Sequence, residues 1–167
     1  MVVSENIRTV QKDDLPLMLS WRNHEATRQW MFQPEPIPME KHLDWFNNIN
    51  PSHHFLLIYE QNNQPIGHLN FKKIGANVYD WGFYTAPDAP SGSGTLLCHQ
   101  GLKYAAQTLN AHKVCGQVLA HNMASRRIHE KLGFQLEGIL HQHHLQNQAY
   151  LDVYLFGMLL PINKGLL

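Results

Sequence analysis

The sequence predicts a mixed α/β fold, with a mostly antiparallel seven-stranded sheet and about four flanking helices, in one domain over residues 1–167. Short apolar segments alternate with polar residues between short turns, which is typical of antiparallel strands. A glycine-rich loop opens a helix between the fourth and fifth strands, and strands joined by such a crossing helix run parallel. The last two apolar segments are separated by a short polar turn, which predicts a closing hairpin.

The first third of the chain is predicted to hold one strand and three helices. The strand covers residues 7–10, a helix follows it, and a second short helix covers about residues 24–31. Prolines at 34, 36 and 38 then force an extended loop. A third helix follows over residues 39–49. Its buried stripe is expected to consist of Met39, Leu43 and Phe46.

Three strands follow as a meander. The first covers residues 55–59 and ends in a polar turn at 61–64. The second strand places Leu69 and Phe71 on one face and the polar residues His68, Asn70 and Lys72 on the other. The third strand places Tyr79, Trp81 and Phe83 together on one face. Because the connections are short, the three strands are expected to pair antiparallel.

The last part of the chain holds the predicted parallel crossing. Gly133 ends the second of its two helices as a left-handed C-terminal cap. Its elements, in order, are a helix from Gly94 to about residue 109, a strand at 114–119, a helix at 123–131 and hairpin strands at 134–144 and 149–158.

Charge and hydropathy exclude several classes of function. Thirteen basic and thirteen acidic residues cancel, and no basic stripe is present. Neutralisation of phosphates drives nucleic-acid binding, so we expect no nucleic-acid partner. No segment approaches the run of about 18 apolar residues that a membrane span needs, and the first residues lack the features of a signal peptide. We therefore expect no membrane partner and a cytoplasmic location.

The spacing of the cysteine and histidine residues indicates whether the chain could bind a metal ion. Cys98 and Cys115 lack C-x-x-C spacing, which favours two reduced thiols in a cytosol. A regular strand would place His141 and His143 on one face, near His144, and imidazole pairs can bind zinc or nickel. The alternative is a polar strand and turn exposed to water. No spacing completes a recognisable metal site, so no metal is expected, although this cluster leaves the question open.

A glycine loop, Ser-Gly-Ser-Gly-Thr at residues 91–95, opens the helix after the fourth strand. Unpaired backbone N–H groups and the positive helix end converge there, so the loop is a ready anion site. The loop lacks the lysine of a P-loop and the complete G-x-G-x-x-G of a dinucleotide fold. A pyrophosphate site beside a strand and an Asn-capped helix therefore indicates coenzyme A.

These motifs carry a resemblance to a known family. Gly92 and Gly94, Asn122 and Ser125, and the Lys-Leu-Gly-Phe sequence at 131–134 resemble the GNAT superfamily of acyl-CoA N-acyltransferases. The similarity extends from residue 7 to 160. It implies the fold above and direct acetyl transfer from acetyl-CoA to an amine, without a metal. One departure is Ala89, where the family usually has Gln or Arg, but the amides that bind pyrophosphate do not need that side chain.

The resemblance also implies cofactor contacts. Backbone amides of the glycine loop would bind the pyrophosphate, and a bulge at Phe83 and Tyr84 would present backbone groups to the pantetheine and the thioester carbonyl. Asn122 would cap its helix and also reach the pantetheine. Ordinary loop, cap and core roles are the alternatives. The expected cofactor-binding residues are Phe83, Tyr84, Gly92, Ser93, Gly94, Thr95, Leu96, Asn122 and Ser125.

Three residues are candidates for the chemistry. His129 occupies the position where many family members carry the tyrosine that protonates the CoA thiolate, and histidine can donate a proton near neutral pH. A packed helical histidine is the alternative, and Tyr84 could share or replace this function. Relatives often use a carboxylate where Gln117 stands, and glutamine cannot act as a base. A water held by Gln117, His121 or a backbone carbonyl is then the expected route for the proton of the acceptor.

The N-terminal region forms the acceptor wall in this family. Here residues 21–25 (Trp-Arg-Asn-His-Glu), 30–32 and 42–43 resemble the N-acetyltransferases of pseudaminic acid biosynthesis, which act on the 4-amino group of a UDP-linked amino sugar. Arg22 and His42 would face phosphates or ribose. Met31 and Phe32 would stack on uracil or sugar, with core packing as their alternative.

The sequence leaves open other acceptors, a noncatalytic function and the oligomeric state. Residues 137–138 and the helix at 125–131 are also similar to ribosomal-protein N-terminal acetyltransferases. A polyamine acceptor would want an acidic cleft, and the N-terminal half has no acidic cluster. A noncatalytic acyl-CoA sensor is the alternative of another class, which would need no proton donor at residue 129. We expect a monomer or a homodimer.

Overall fold

The computed structural model of the protein describes residues 4–161. Residues 1–3 and 162–167, the two ends of the expected domain, lie outside the described residues. Seven strands form one sheet in the order β1-β2-β3-β4-β5-β7-β6. Only β4 and β5 pair in parallel, and every other neighbouring pair is antiparallel. The predicted fold class is therefore confirmed, including the meander, the parallel pair and the closing hairpin.

The elements follow the predicted order closely. In chain order they are β1 (Glu5–Thr9), a 3₁₀ turn (Lys12–Asp14), α1 (Leu15–Asn23), α2 (Glu25–Arg28), α3 (Met39–Asn47), β2 (His54–Gln61), β3 (Gln64–Gly75), β4 (Val78–Thr85), α4 (Ser93–Gln107), β5 (Lys113–Leu119), α5 (Met123–Leu132), β6 (Gln135–Gln146) and β7 (Ala149–Leu159). The described residues thus hold five α-helices, one for each helix predicted along the chain and one more than the approximate number of four given for the fold class.

His24 separates α1 from α2. Its backbone is extended, with φ −63° and ψ 138°, so it ends α1. Its ring then accepts a hydrogen bond from the Ala26 amide and caps the start of α2. A side chain that bonds locally to the backbone at a helix start favours a break at that position.

Helices cover both faces of the sheet. One core cluster joins Phe71 and Trp81 to Leu97 of α4, and a second joins Ile58 of β2 to Met18 of α1. Successive residues of the central strands are therefore both buried, which a one-sided sheet would not allow. No helix within residues 4–161 is long and apolar enough to cross a membrane.

Two predicted burial patterns are wrong in part. Met39, expected in the buried stripe of α3, is 38% exposed, while His42 of the same helix is buried. His68, expected on the polar face of β3, is also buried, because that face lies under the helices of the N-terminal region. Its Nδ1 lies 2.9 Å from the Leu57 carbonyl oxygen, and burial lowers its pKa to about 4.

β4 and β5 separate soon after they meet. They pair only between Val78–Asp80 and Lys113–Cys115, whereas β5 pairs with β7 along its whole length. The predicted bulge at Phe83 and Tyr84 is wrong, since β3 and β4 keep a continuous register there. The free edge that the bulge was expected to supply comes instead from the divergence of β4 from β5.

Candidate active site

The gap between β4 and β5 opens into a cavity of about 530 Å³. Gly94, Asn122 and His129 line it from the side of α4 and α5, and Trp30 and Met31 line it from the N-terminal side. The cavity therefore passes through the sheet and is open to groups arriving from both faces. A thioester and an amine can meet in such a passage.

The glycine loop lies at one end of this gap. Gly92 has φ +89°, a left-handed conformation that favours glycine, and α4 begins at Ser93. Within the chain, the amides of Ser93, Thr95 and Leu96 donate to the carbonyls of Pro90 or Gly92. The amides of Gly92 and Gly94 have no such partner among the described residues, so these two amides are the ones free to bind an anion.

The start of α5 faces the same cavity. The Asn122 side-chain oxygen accepts a hydrogen bond of 3.2 Å from the Ser125 amide, which confirms Asn122 as the helix cap. Gly133 ends the helix with φ +94°, as predicted. Asn122 and Ser125 both line the cavity, as Gly94 of α4 does. Predicted cofactor residues of α4 and α5 are therefore brought together.

The edge of β4 presents backbone groups to the gap. Hydrogen-bonded residues alternate along an antiparallel pair, and the Ala86 amide donates to Ile66 on the β3 side. By that alternation Tyr84 directs its backbone groups toward β3, and Phe83 directs its own toward the gap. Of the two residues expected to contact the pantetheine through their backbone, Phe83 is therefore the one in position to do so.

A second cavity of about 820 Å³ adjoins the first on the N-terminal side. Both cavities are bounded by Met31, Phe32, Gly82, Phe83 and Tyr84. All four predicted acceptor residues line the second cavity, namely Arg22, Met31, Phe32 and His42. We call the first the transfer cavity and the second the acceptor cavity.

Two polar groups of the acceptor cavity are buried without a partner. They are Nη1 of Arg22 and Nε2 of His42. Burial lowers the pKa of both residues; for His42 it outweighs a hydrogen bond to the Leu15 backbone. His42 also stacks on Trp45, with ring centroids 5.2 Å apart. Buried polar groups are normally satisfied, so this pair marks a place where a ligand would supply the missing hydrogen bonds.

The wall of the acceptor cavity is fastened by side chains from distant elements. Gln146 donates to the Met31 carbonyl at 2.8 Å, and His144 Nε2 lies 2.8 Å from the Phe32 carbonyl oxygen. Arg22 Nη2 donates to the Gln33 carbonyl at 2.6 Å. Residues 31–33 are therefore held from both β6 and α1, which fixes the cavity wall without a regular element.

His129 is buried and both of its ring nitrogens have partners. Nδ1 lies 2.8 Å from the Ser125 carbonyl oxygen, and Nε2 accepts a 3.0 Å hydrogen bond from Trp81 Nε1. Burial lowers its pKa. The ring lines the transfer cavity, but it is a neutral imidazole whose only proton is given to Ser125. This arrangement favours the packed histidine over the proton donor.

The other two catalytic candidates differ from each other. Tyr84 lines both cavities, and its hydroxyl has one long hydrogen bond, 3.4 Å to the Met18 carbonyl. Burial raises the pKa of Tyr84, so the hydroxyl keeps its proton. Gln117 is exposed and lines the transfer cavity, where its amide can hold a water or an acceptor group. His121 lies outside both cavities, with Nε2 3.4 Å from the Gln29 carbonyl oxygen.

Sequence reasoning missed Asp80, which lines the transfer cavity. Burial raises its pKa to about 6. A signal was present, because Asp80 is an acidic residue inside an apolar strand next to a strand reached by a helix crossing. Trp45 was also missed, since its spacing in α3 resembles that of an ordinary amphipathic helix.

The histidine cluster does not form a regular strand face. β6 loses register between Leu140 and His144, and Gln142 has φ +47°. His141 pairs with Asp152 at 3.2 Å, and His144 faces the Phe32 carbonyl instead. Within residues 4–161, no group of three or more His, Cys, Asp or Glu side chains is arranged to hold a metal ion.

Comparison with known proteins gives the family. A model of the acetyltransferase (GNAT) domain matches residues 6–135. The acetyltransferase PseH of Campylobacter jejuni is 25% identical over 138 residues, which cover 81% of this chain and 86% of that protein.

Two solved structures share the fold. The spermidine N-acetyltransferase of Vibrio cholerae, in complex with CoA and spermine, has a TM-score of 0.85 at 22% identity, covering 93% of this chain and 95% of that one. The ribosomal-protein-alanine N-acetyltransferase of Brucella melitensis has a TM-score of 0.80 at 22% identity, covering 93% and 99%. Because the family model spans most of its length, the chain belongs to the GNAT acetyltransferase family and is an acetyl-CoA-dependent N-acetyltransferase.

Proposed function

We propose that the enzyme transfers the acetyl group of acetyl-CoA to the 4-amino group of a UDP-linked amino sugar. The observation that carries this proposal is the pair of unpartnered buried groups, Arg22 Nη1 and His42 Nε2, in the acceptor cavity. Both lie on the N-terminal side of the sheet, away from the glycine loop. They offer an acceptor the kinds of hydrogen bond that a nucleotide sugar needs.

The chemistry of the acceptor cavity suits a diphosphate and a ribose. A guanidinium matches phosphate oxygens with charge-assisted hydrogen bonds, and Arg22 keeps one buried nitrogen available for them. His42 has a lowered pKa and is neutral near pH 7, so its free Nε2 can accept a hydrogen bond from a hydroxyl group. Trp45, Met31 and Phe32 add apolar surface for a ring.

The similarity to PseH supports the same class of acceptor. The match to this acetyltransferase covers most of both chains. The motifs of the acceptor wall resemble the N-acetyltransferases of pseudaminic acid biosynthesis, which act on a UDP-linked 4-amino sugar. The relative and the cavity chemistry therefore point to the same substrate.

The transfer cavity suits acetyl-CoA. The free amides of Gly92 and Gly94 would bind its pyrophosphate, with the remaining residues of the loop shaping the turn, and Asn122 and Ser125 would lie along the pantetheine. Phe83 would present its backbone to the thioester end of the arm. This sequence of contacts leads from the loop toward the boundary with the acceptor cavity.

Direct transfer fits the residues present. The amine attacks the thioester carbonyl, the tetrahedral adduct collapses, and the C–S bond breaks to release a thiolate. We assign the proton for that thiolate to the Tyr84 hydroxyl, since His129 has no free proton. Neither Cys98 nor Cys115 lines the transfer cavity or the acceptor cavity, and burial raises the pKa of both, so neither favours a covalent acetyl-enzyme.

Polyamines and peptide N-termini fit the acceptor cavity less well than a UDP-linked sugar does. Polyamines are cations, and the side chains lining the acceptor cavity include Arg22 and Lys41 against one carboxylate, Glu35. A peptide N-terminus has no diphosphate to pair with Arg22. A noncatalytic CoA sensor would not need the unpartnered groups of the acceptor cavity.

A panel assay tests the proposal. Release of CoA from acetyl-CoA would be measured with UDP-4-amino sugars, with spermidine and spermine, and with N-terminal peptides. We expect kcat/KM to be highest for a UDP-4-amino sugar and to fall when the same sugar lacks UDP. Turnover of peptides or polyamines alone would contradict the nucleotide-sugar acceptor while leaving the acetyltransferase activity intact.

A further inference from the structure

Asp80 lies at the vertex of the gap between β4 and β5. Asp80 and Cys115 are the last paired residues of the two strands, and β4 runs on from there without β5. Asp80 alternates with Trp81, so its side chain points to the sheet face opposite the Trp81 indole. It lines the transfer cavity together with Gly82 and Gln117. Asp80 therefore places a carboxylate on the wall of the transfer cavity, two residues along β4 from Gly82, which bounds both cavities.

Asp80 is half-buried, and one oxygen of its carboxylate is buried without a partner. Its Oδ1 has no hydrogen bond, and Asp80 forms none of the ion pairs within residues 4–161. Other carboxylates that shape the fold behave differently. Asp14 accepts hydrogen bonds from Arg8 and from the Gln11 amide, and Asp152 accepts one from the Gln142 amide. A buried carboxylate oxygen without such a partner weakens the fold, so a structural role does not explain Asp80.

We propose that Asp80 is the general base that removes a proton from the acceptor ammonium before it attacks acetyl-CoA. The proposal deepens the proposed function and rests on it in one respect, that the acceptor arrives as a protonated amine. The base was left open by the sequence, because Gln117 cannot accept the proton. Asp80 supplies a carboxylate on the neighbouring strand, across the same gap.

The step balances without any other reactant. The R–NH₃⁺ group gives one proton to the Asp80 carboxylate and becomes R–NH₂ with a lone pair. That lone pair forms the C–N bond to the thioester carbon, and the C–S bond breaks with its electrons on sulfur. Tyr84 gives its proton to the departing thiolate, and the nitrogen returns its second proton to the Tyr84 phenolate as the amide forms. Asp80 then releases the first proton to solvent.

The surroundings of Asp80 keep it suitable for this role. Burial raises its pKa to about 6, and Lys72 opposes the shift. A base of this pKa is ionised at neutral pH and is stronger than an ordinary carboxylate. Lys72 of β3 and Cys115 of β5 are the residues paired directly with Asp80. Lys113 and Glu137 lie near Cys115, and His54 of β2 and His129 of α5 line the same cavity as Asp80.

The other groups in the transfer cavity are occupied or unsuited. His54 has its Nε2 3.2 Å from the Asn70 side-chain oxygen, and its pKa is lowered mainly by burial. His129 is hydrogen-bonded at both nitrogens. Lys72 is a cation and cannot accept a proton. Asp80 is therefore the group of this cavity that is both basic and unengaged.

Asp80→Asn is the test, because asparagine keeps the shape and cannot accept the proton. The acceptor is whichever amine the panel assay finds most active, so failure of the nucleotide-sugar proposal does not remove the test. We expect kcat/KM at pH 7 to fall by about 10²- to 10⁴-fold, with unchanged affinity for acetyl-CoA by calorimetry. Asp152→Asn, which removes a carboxylate outside both cavities, should stay within about twofold of the wild type.

The pH profile separates a base from a structural residue. In the wild type, kcat/KM should rise with unit slope up to pH about 6 and then level. In Asp80→Asn it should keep rising to the pKa of the amine itself, because only the neutral amine can react. The proposal would be overturned if kcat/KM of the variant still levelled off near pH 6, as in the wild type, or if it fell by the same factor at every pH.

Thermal stability gives a readout that does not depend on turnover. The pKa of Asp80 is higher in the folded than in the unfolded protein, so its ionisation disfavours the folded state increasingly as pH rises toward about 6, and fully above it. Asp80→Asn removes this effect. We expect the Tm of the variant, relative to wild type, to be higher at pH 8 than at pH 4.5. An equal difference at both pH values would show that Asp80 is not a buried ionisable group and would overturn the proposal.

Discussion

Trp81 donates a 3.0 Å hydrogen bond from its indole N–H to Nε2 of His129, and the two rings meet edge to face. The bond fixes the tautomer of His129, because the nitrogen that accepts from Trp81 cannot carry the proton. The remaining proton lies on Nδ1, toward the Ser125 carbonyl. The residue that occupies the proton donor's usual position in the family is therefore held here as an acceptor.

His129→Phe should accordingly affect stability more than turnover. The phenyl ring keeps most of the volume but leaves the buried Trp81 N–H without a partner, which costs about 1–3 kcal/mol. We expect kcat to stay within about tenfold of the wild type, since acid catalysis would be worth at least about 10²-fold. Chemical unfolding and steady-state kinetics on the same preparations would measure both.

A double-mutant cycle with Trp81→Phe, His129→Phe and the variant that carries both changes measures the stability contribution of this hydrogen bond. If the hydrogen bond accounts for the loss, the two single variants should destabilise the protein by more, when added, than the double variant does. A fall in kcat beyond a hundredfold for His129→Phe, with stability kept, would return His129 to the role of proton donor.

Tyr84→Phe tests the proton donor that we propose. The hydroxyl has only a 3.4 Å contact with Met18, so its loss should cost little stability. We expect kcat to fall by about 10²-fold or more, while the affinity for acetyl-CoA is kept. Full turnover in Tyr84→Phe would show that the thiolate takes its proton from water or from the acceptor nitrogen.

Much of the fold was predictable from local patterns. The alternation in β3 and β4, the cap at Asn122 and the left-handed Gly133 are properties of a few neighbouring residues. The burial of His42 and His68 was not predictable in this way, because it depends on which helix covers which face of the sheet. Tertiary packing determines whether these residues are buried, and a local sequence pattern carries no information about tertiary packing.

The sequence predicted which residues line the site better than it predicted their chemical roles. Gly94 of the glycine loop, Asn122 and Ser125 of α5 and the predicted acceptor residues do line adjoining cavities. The other predicted residues of the loop, Gly92, Ser93, Thr95 and Leu96, line neither cavity. The state of His129 depends on Trp81, which lies 48 residues away in the sequence. The exposure of Asp80 to the gap depends on the point where two strands part. Long-range contacts of this kind have no signature in spacing.

Gly94→Trp should abolish acetyl-CoA binding. A Cβ at residue 94 would meet Ile128 Cδ1 at 3.6 Å and Thr85 Cγ2 at 4.0 Å, which are ordinary contacts, so the fold should accept the side chain. The indole would then extend into the transfer cavity. We expect the Kd for CoA to rise at least about a hundredfold, or roughly 2.7 kcal/mol.

Calorimetry with CoA and a thermal melt would measure the two effects of that change. His99→Trp is the matched control, since His99 is exposed on the same helix and outside the cavity. It should bind CoA as the wild type does. A folded Gly94→Trp protein with wild-type affinity would place the pyrophosphate elsewhere.

Arg22→Ala should raise KM for the UDP-sugar and leave KM for acetyl-CoA nearly unchanged. Charge-assisted hydrogen bonds are worth about 1.5–3 kcal/mol, so the increase should be about 10- to 100-fold. Arg22 also holds the Gln33 carbonyl, and its loss could loosen the cavity wall. Arg28→Ala controls for this, because Arg28 donates to the neighbouring Pro34 carbonyl but lines neither cavity. A similar increase in both variants, or an equal effect on both substrates, would show that Arg22 supports the wall and does not bind phosphate.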